Sequence, residues 1–175
     1  MVNSSVISTK YWDDRKDNIY LYAARKICEK FSRPDSVIDV GSNGTPTLEW
    51  HRSHASRLVS IDLRNPYRAK GVESITQNFF DYPAAQSFDL VTCFQVLEHV
   101  PEPRDFAQKL LQLGKVLVVS VPYQWPKGKC IYHIHDPVNE EKMLAWFQRT
   151  PDFSYIAREL NKVERLIQVY KNISD

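Results

Sequence analysis

Short runs of β-branched and apolar residues, parted by helical segments and by glycine and proline turns, constrain this chain most. The first run is Ser36-Val37-Ile38-Asp39-Val40, stopped by Gly41-Ser42-Asn43-Gly44. Leu58-Val59-Ser60-Ile61 is the second and ends at Asp62. A weaker third covers 73–76, Phe88-Asp89-Leu90-Val91-Thr92-Cys93-Phe94 is the fourth, and 115–121, the most apolar, is the fifth. Helical spacing of Tyr20, Ala23, Ala24, Ile27, Cys28 and Phe31 predicts a helix over 12–31, with Asp13 and Asp14 suiting its start and Pro34 stopping it. A short helix opens at Thr47, and another covers 103–113. Strands that are continuously apolar, rather than alternating, are buried on both faces. Alternated with helices, they predict an α/β fold with a doubly wound, mainly parallel sheet. After an irregular stretch at 122–136 come a helix at 138–149 and two strands, 153–160 and 164–170, joined at Asn161-Lys162. That pair reads as an antiparallel hairpin.

A length of 175 residues fits one domain. Its parts are an N-terminal helical segment (1–34), a central core (35–121), and a loop, helix and hairpin (122–175). A net charge of +2 argues against a protein that mainly neutralises nucleic-acid phosphates. Cys28, Cys93 and Cys130 are too scattered for a disulfide framework or a paired-cysteine metal site, and Cys93 reads as a buried thiol. No apolar run approaches the ~18 residues of a membrane span. The first residues lack the basic-then-apolar pattern of a secretory leader. The expectation is a reduced, cytoplasmic, soluble protein.

Ligands of doubly wound sheets sit beyond the carboxyl ends of the strands. Weight therefore falls on residues 41–45, Asp62, 78–81, 95–99 and 122–136. Gly41 and Gly44 let the backbone turn tightly beside a ligand. Asp62, about 20 residues further on, suits two ribose hydroxyls. A dinucleotide site wants a third glycine, and no Lys-Ser/Thr pair makes a P-loop. A cofactor with a ribose but no phosphate needs less.

Asp39-Val40-Gly41, then Asp62, then Phe88-Asp89-Leu90-Val91 running into Gln95-Val96-Leu97-Glu98-His99-Val100 resembles a class I S-adenosylmethionine-dependent methyltransferase. The resemblance spans about 36–121 by motif. It implies a Rossmann-like seven-stranded sheet whose final hairpin carries an antiparallel strand, and S-adenosyl-L-methionine as cofactor. It implies that Asp39, Gly41 and Gly44 shape the loop at the methionine part and that Asp62 takes the ribose. Leu63, Asn78 and Phe79 would stand by the adenine, and Gln95 and Val96 by the sulfonium. Arg15, in a segment able to fold over the cofactor, is a candidate partner for its carboxylate. The glycine loop departs from the usual G-x-G-x-G: Ser42-Asn43 precede Gly44, and Pro46 follows.

Methyl transfer is an in-line displacement, and a hydroxyl acceptor must also lose a proton. The candidate bases are His133, His135 and His99. In an extended segment His133 and His135 would share a side. Two histidines without an evident third ligand assign no metal. Glu98 is expected to cap or anchor its loop, and His51 and His54 to lie on the surface. Tyr123, Trp125 and Tyr132 suit a sugar or aromatic acceptor. Acceptor closure falls to the N-terminal segment and 122–137, or to a second copy in a homodimer.

The expected function is methyl transfer to a hydroxyl or amine of a small molecule, on analogy a sugar or natural-product intermediate. The alternative is a non-catalytic S-adenosylmethionine-binding regulatory or scaffold subunit. The missing third glycine disfavours a nicotinamide oxidoreductase. The lack of an Asn/Asp-Pro-Pro-Tyr/Phe string disfavours nucleic-acid methylation.

Overall fold

The structure is a computed structural model that describes residues 18–83 and 87–172. Helix α1 (Ile19–Phe31) begins where the Asn18 side chain accepts from the Leu21 amide at 2.7 Å, satisfying one of the free N–H groups of the first turn. Residues 12–17 of the expected helix lie outside the described residues. Strands β1 (Ser36–Val40), β2 (Arg57–Asp62), β3 (Val72–Thr76), β4 (Phe88–Phe94) and β5 (Gly114–Pro122) follow, with α2 (Pro103–Gln112) between β4 and β5. Helix α3 (Glu140–Phe147) precedes β6 (Phe153–Arg158) and β7 (Glu164–Lys171).

The seven strands form one sheet in the order β3-β2-β1-β4-β5-β7-β6. The first five pair in parallel, and β7 runs antiparallel to both β5 and β6. This is the expected mainly parallel, doubly wound sheet with its C-terminal hairpin. From β1 the chain winds outward through β2 and β3, then returns to β4 on the other side. The switch point therefore lies between β1 and β4, which is where such sheets open a ligand crevice.

The continuous apolar runs have the cause inferred for them. Along β1 Val37 faces one core cluster and Ile38 the other; Leu90 and Val91, and Val118 and Val119, divide in the same way. One cluster includes Tyr20, Ala24, Ile27 and Cys28 of α1. The other includes Phe106 and Leu110 of α2 and Met143, Trp146 and Phe147 of α3. The helices α2 and α3 are also tied by Gln108, whose amide donates to the carbonyls of Trp146 and Phe147 at 3.1 and 2.9 Å. Each fully buried Val, Leu or Ile contributes about 1.5–3 kcal/mol, so both faces stabilise the same strands.

The winding is lean. Between β1 and β2 the Thr47 segment forms only a 3₁₀ turn, Thr47–Trp50, and between β3 and β4 there is another at Phe79–Asp81. Such short connections leave the loops at the switch point braced mainly by side-chain hydrogen bonds. No helix among the described residues is long and apolar enough to cross a membrane.

Candidate active site

A cavity of about 550 Å³ opens at the switch point, between the ends of β1 and β4 and under the segment 125–133. Its β1 side starts with Asp39, which is 2% exposed. Both carboxylate oxygens are engaged: Thr47 donates at 2.6 Å and Thr92 at 2.7 Å. Asp39 thereby clamps the 3₁₀ turn to β4. Burial pushes its pKa up to about 6, against the lowering effect of the two hydroxyl donors. Gly41 follows with a φ of +77° and donates to the Ile61 carbonyl at 2.8 Å. A Cβ at Gly41 would stand 2.5 Å from a Val96 methyl. The glycine is thus required twice, by backbone angle and by close approach.

Asp62 shapes the same loop from β2. Its carboxylate accepts from the amides of Asn43 at 2.9 Å and of Arg64 and Asn65 at 2.8 Å each. A carboxylate has about four acceptor positions, so most are used within the protein. Asp62 stands at the end of β2 but does not line the cavity, and neither does Leu63, which is 62% exposed. Gly44, with a φ of +75°, sits against Asn65.

The structure does not bring Asn78 and Phe79 to the cavity. Asn78 caps the Phe79–Asp81 turn through the Phe80 amide, and the Phe79 ring is buried 4.7 Å from that of Phe106. An apolar ring gains more inside the core than at an open crevice. Val96 fills the space beside Gly41 rather than lining the cavity. Gln95 does line it: with a φ of +58°, its side chain donates to Ser120 Oγ at 3.1 Å. Arg15 lies outside the described residues.

The opposite wall is built by three hydrogen bonds that fasten the β4 loop to the segment after β5. His99 Nδ1 donates to the Tyr132 carbonyl at 2.9 Å, Ile134 N to the Glu98 carbonyl at 2.9 Å, and His135 Nε2 to the Val100 carbonyl at 2.7 Å. Residues 130–137 turn rather than extend, so His133 and His135 diverge. This corrects the expectation of a shared side. His133 lines the cavity; its Nδ1 donates to Asp136 Oδ2 at 2.9 Å and its ring stacks on Trp125. His135 packs against Trp146 of α3 and does not line the cavity. His99 lines it, edge-on to His133 at 4.7 Å, with its pKa lowered by burial.

Glu98 departs most from its sequence reading. Its side chain is fully buried, and neither carboxylate oxygen has a hydrogen-bond partner, so it caps nothing. The loop is anchored by its backbone carbonyl instead. Burial, with repulsion from Asp136, pushes the Glu98 carboxyl up to about 8. Donor atoms of Glu98, His99 and His133 all lie within 4.8 Å of one another. The set joins His133 to Glu98 and His99 of the β4 loop, on one wall of the cavity, and leaves His135 out. His51 also departs from expectation: it is 2% exposed, and burial lowers its pKa to about 4.

A family model described as a methyltransferase domain matches residues 11–161. The chain belongs to this methyltransferase domain family. A ubiquinone biosynthesis O-methyltransferase of Cronobacter sakazakii is 28% identical, over 66% of this chain and 60% of its own length. The chain thus matches less than two thirds of that relative's length. The 1,6-didemethyltoxoflavin-N1-methyltransferase of Burkholderia thailandensis, solved with 1,6-didemethyltoxoflavin and S-adenosylhomocysteine, has a TM-score of 0.72 at 16% identity, over 94% of this chain and 85% of that one. The N-methyltransferase NodS of Bradyrhizobium japonicum, solved with S-adenosylhomocysteine, has a TM-score of 0.71 at 14% identity, covering 89% and 86%. At these identities the two structures establish the methyltransferase fold.

Several cavity residues of this family member are not in its motifs. Tyr20, on α1, hydrogen-bonds Ser120 Oγ at 2.6 Å; its helical spacing marked it only as core. Arg165 stands at the start of β7, opposite Pro122 at the end of β5. Its guanidinium lies 5.0 Å over Tyr20 and 5.8 Å over Trp125 and pairs with Glu159 at 3.4 Å. The antiparallel hairpin is the signal that would have found it, because the first residue of an antiparallel neighbour meets the last of a parallel strand. Of the expected aromatic cluster, Trp125 and Tyr132 line the cavity, whereas Tyr123 packs against the core and donates to Glu140.

Proposed function

We propose that this chain transfers the methyl group of S-adenosylmethionine to a hydroxyl of a small molecule. The observation that carries it is the His133–Asp136 pair on the cavity wall. A histidine whose Nδ1 proton is held by a buried carboxylate is fixed in orientation and tautomer, with Nε2 left as the lone pair. That arrangement serves an acceptor that has to shed a proton, which a hydroxyl does and a neutral amine does not. The relative named for ubiquinone biosynthesis is an O-methyltransferase, which supports an oxygen acceptor.

The roles follow from the walls of the cavity. The loop at 41–45, held by Asp39 and Asp62, receives the cofactor, with Asp62 at its ribose. Gln95 lies between cofactor and acceptor. Trp125, stacked on His133, and Tyr132 offer flat surface to a ring-shaped acceptor. As the acceptor oxygen loses its proton at the histidine wall, its electron pair forms the new bond to the methyl carbon. The carbon–sulfur bond breaks, and S-adenosylhomocysteine leaves as a neutral thioether. In-line alignment of acceptor oxygen, methyl carbon and sulfur supplies much of the rate gain. The cytoplasm is the proposed site of action.

The test is formation of S-adenosylhomocysteine with a panel of phenols and sugars, beside His133→Ala. Turnover on a hydroxyl acceptor, lost in the variant while cofactor binding stays within about twofold, is expected. Cofactor binding with no turnover on any acceptor would favour the regulatory or scaffold role. Transfer only to amines, indifferent to His133, would overturn the oxygen assignment.

A further inference from the structure

We infer that Glu98, His99 and His133 form a binding site for a divalent first-row transition-metal ion, open to the cavity. Donor atoms of the three already lie within 4.8 Å of one another, with His99 Nε2 3.9 Å from Glu98 Oε1. Donors bound to one ion at ~2.1 Å stand about 3–3.5 Å apart. Side-chain rotations of under an ångström or so close the set.

The hydrogen bonding around the cluster points inward. Both histidines use Nδ1 outward, His99 to the Tyr132 carbonyl and His133 to Asp136 Oδ2. That tautomer leaves Nε2 of each ring as a lone pair. A metal-binding histidine characteristically donates its other N–H to a carbonyl or carboxylate in this way. Facing the two lone pairs is a fully buried carboxylate with no donor to either oxygen. Donor atoms of the three residues converge, and among the described residues no hydrogen-bond donor reaches either Glu98 oxygen, a costly arrangement in a buried place. A cation resolves it. Asp136, whose side chain is also fully buried and whose Oδ1 has no partner, adds a second negative charge behind His133. Together the two carboxylates balance a divalent ion.

The donor set selects the class of ion. Two imidazoles and one carboxylate suit zinc, cobalt or iron(II), whereas calcium and magnesium favour all-oxygen sites. Three protein ligands leave coordination positions open toward the cavity that Glu98, His99 and His133 line. An acceptor hydroxyl taking one of them would lie beside the cofactor loop and be acidified by the ion, with His133 Nε2 then serving as a ligand in place of its role as base. That catalytic use rests on the proposed methyl transfer; the binding itself does not.

The experiment is titration of chelator-treated full-length protein with Co²⁺, without cofactor or acceptor, read by visible absorption and then by displacement with Zn²⁺. A saturable one-to-one spectrum is expected, weakened at least ~10-fold in Glu98→Gln and in His99→Ala and weakened also in Asp136→Asn. It should be unchanged in Cys130→Ser and His54→Ala. His99 is the surest variant, because its side chain is 40% exposed and its loss leaves the core intact. A rise in the wild-type melting temperature with Zn²⁺, reversed by chelator, reads binding without any substitution. Absence of one-to-one binding by folded wild-type protein overturns the site. So does a spectrum that survives both Glu98→Gln and His99→Ala, or one lost in Cys130→Ser or His54→Ala. If the ion binds but no methyl transfer is found, the site stands and the proposed reaction fails.

Discussion

Replacing Gly41 with alanine tests the central loop, because the structure gives two separable costs. At a φ of +77° an L-residue is strained by about 1–2 kcal/mol. The new methyl would also stand 2.5 Å from one Val96 methyl, 3.2 Å from the other and 3.4 Å from Val96 Cβ. Overpacking of this kind costs about 1–3 kcal/mol. The restricted unfolded chain returns about 0.4–1 kcal/mol, so the net loss is about 1–4.5 kcal/mol. Urea unfolding at constant m-value reads it directly. Removing the obstacle separates the terms: in a cycle with Val96→Ala the double variant should recover the overlap, with a coupling of about 1–3 kcal/mol, and retain the backbone strain. Additivity of the two substitutions within about 0.5 kcal/mol, or a Gly41→Ala protein as stable as the parent, would refute the argument. S-adenosylmethionine affinity should fall with Gly41→Ala and return only in part with Val96→Ala.

Asp39 gives a pH dependence of unusual sign. Its folded pKa, about 6, lies above the usual carboxylate value of about 4, so the folded state holds the extra proton between these values. Stability from this group is greatest below about pH 4 and falls by about 3 kcal/mol as pH rises to 6 and beyond; urea midpoints of Asp39→Asn should lack that slope, and an identical slope would count against the burial argument. Asp62→Asn withdraws acceptor capacity from three loop amides; calorimetry should show S-adenosylmethionine affinity reduced ~10-fold or more, and an unchanged affinity would remove Asp62 from the cofactor site. His135→Ala should lower the melting temperature through its Val100 and Trp146 contacts yet spare kcat, whereas a loss of kcat matching that of His133→Ala would return His135 to the chemistry. Tyr20→Phe should cost about 1 kcal/mol in urea unfolding for its buried bond to Ser120, and no loss would mean that the hydroxyl is otherwise solvated.

The strands and the glycine loop were legible because they are local. A buried parallel strand must be apolar at consecutive positions, and Val37 with Ile38, or Leu90 with Val91, carry that pattern whatever surrounds them. Asp39, Gly41 and Asp62 lie at the carboxyl ends of β1 and β2, so the fold class alone placed them at the end of the sheet where ligands bind. The orientation of Asn78 and Phe79 was not legible, because position after β3 says nothing of whether a side chain turns to the crevice or, as Phe79 does, to Phe106. His133 and His135 were assigned one side on an extended backbone that the chain does not adopt.

What the sequence determined by itself was the order of elements, the doubly wound sheet and the end of it that holds the site, since periodicity and turn chemistry act over a few residues. Only the tertiary structure decided which side chains meet there. The wall of Glu98, His99 and His133 depends on where the segment after β5 folds back onto the β4 loop, and Arg165 on where β7 pairs. Those contacts join residues far apart in the chain, where each hydrogen-bond partner is chosen by the packed backbone and not by its neighbours in sequence.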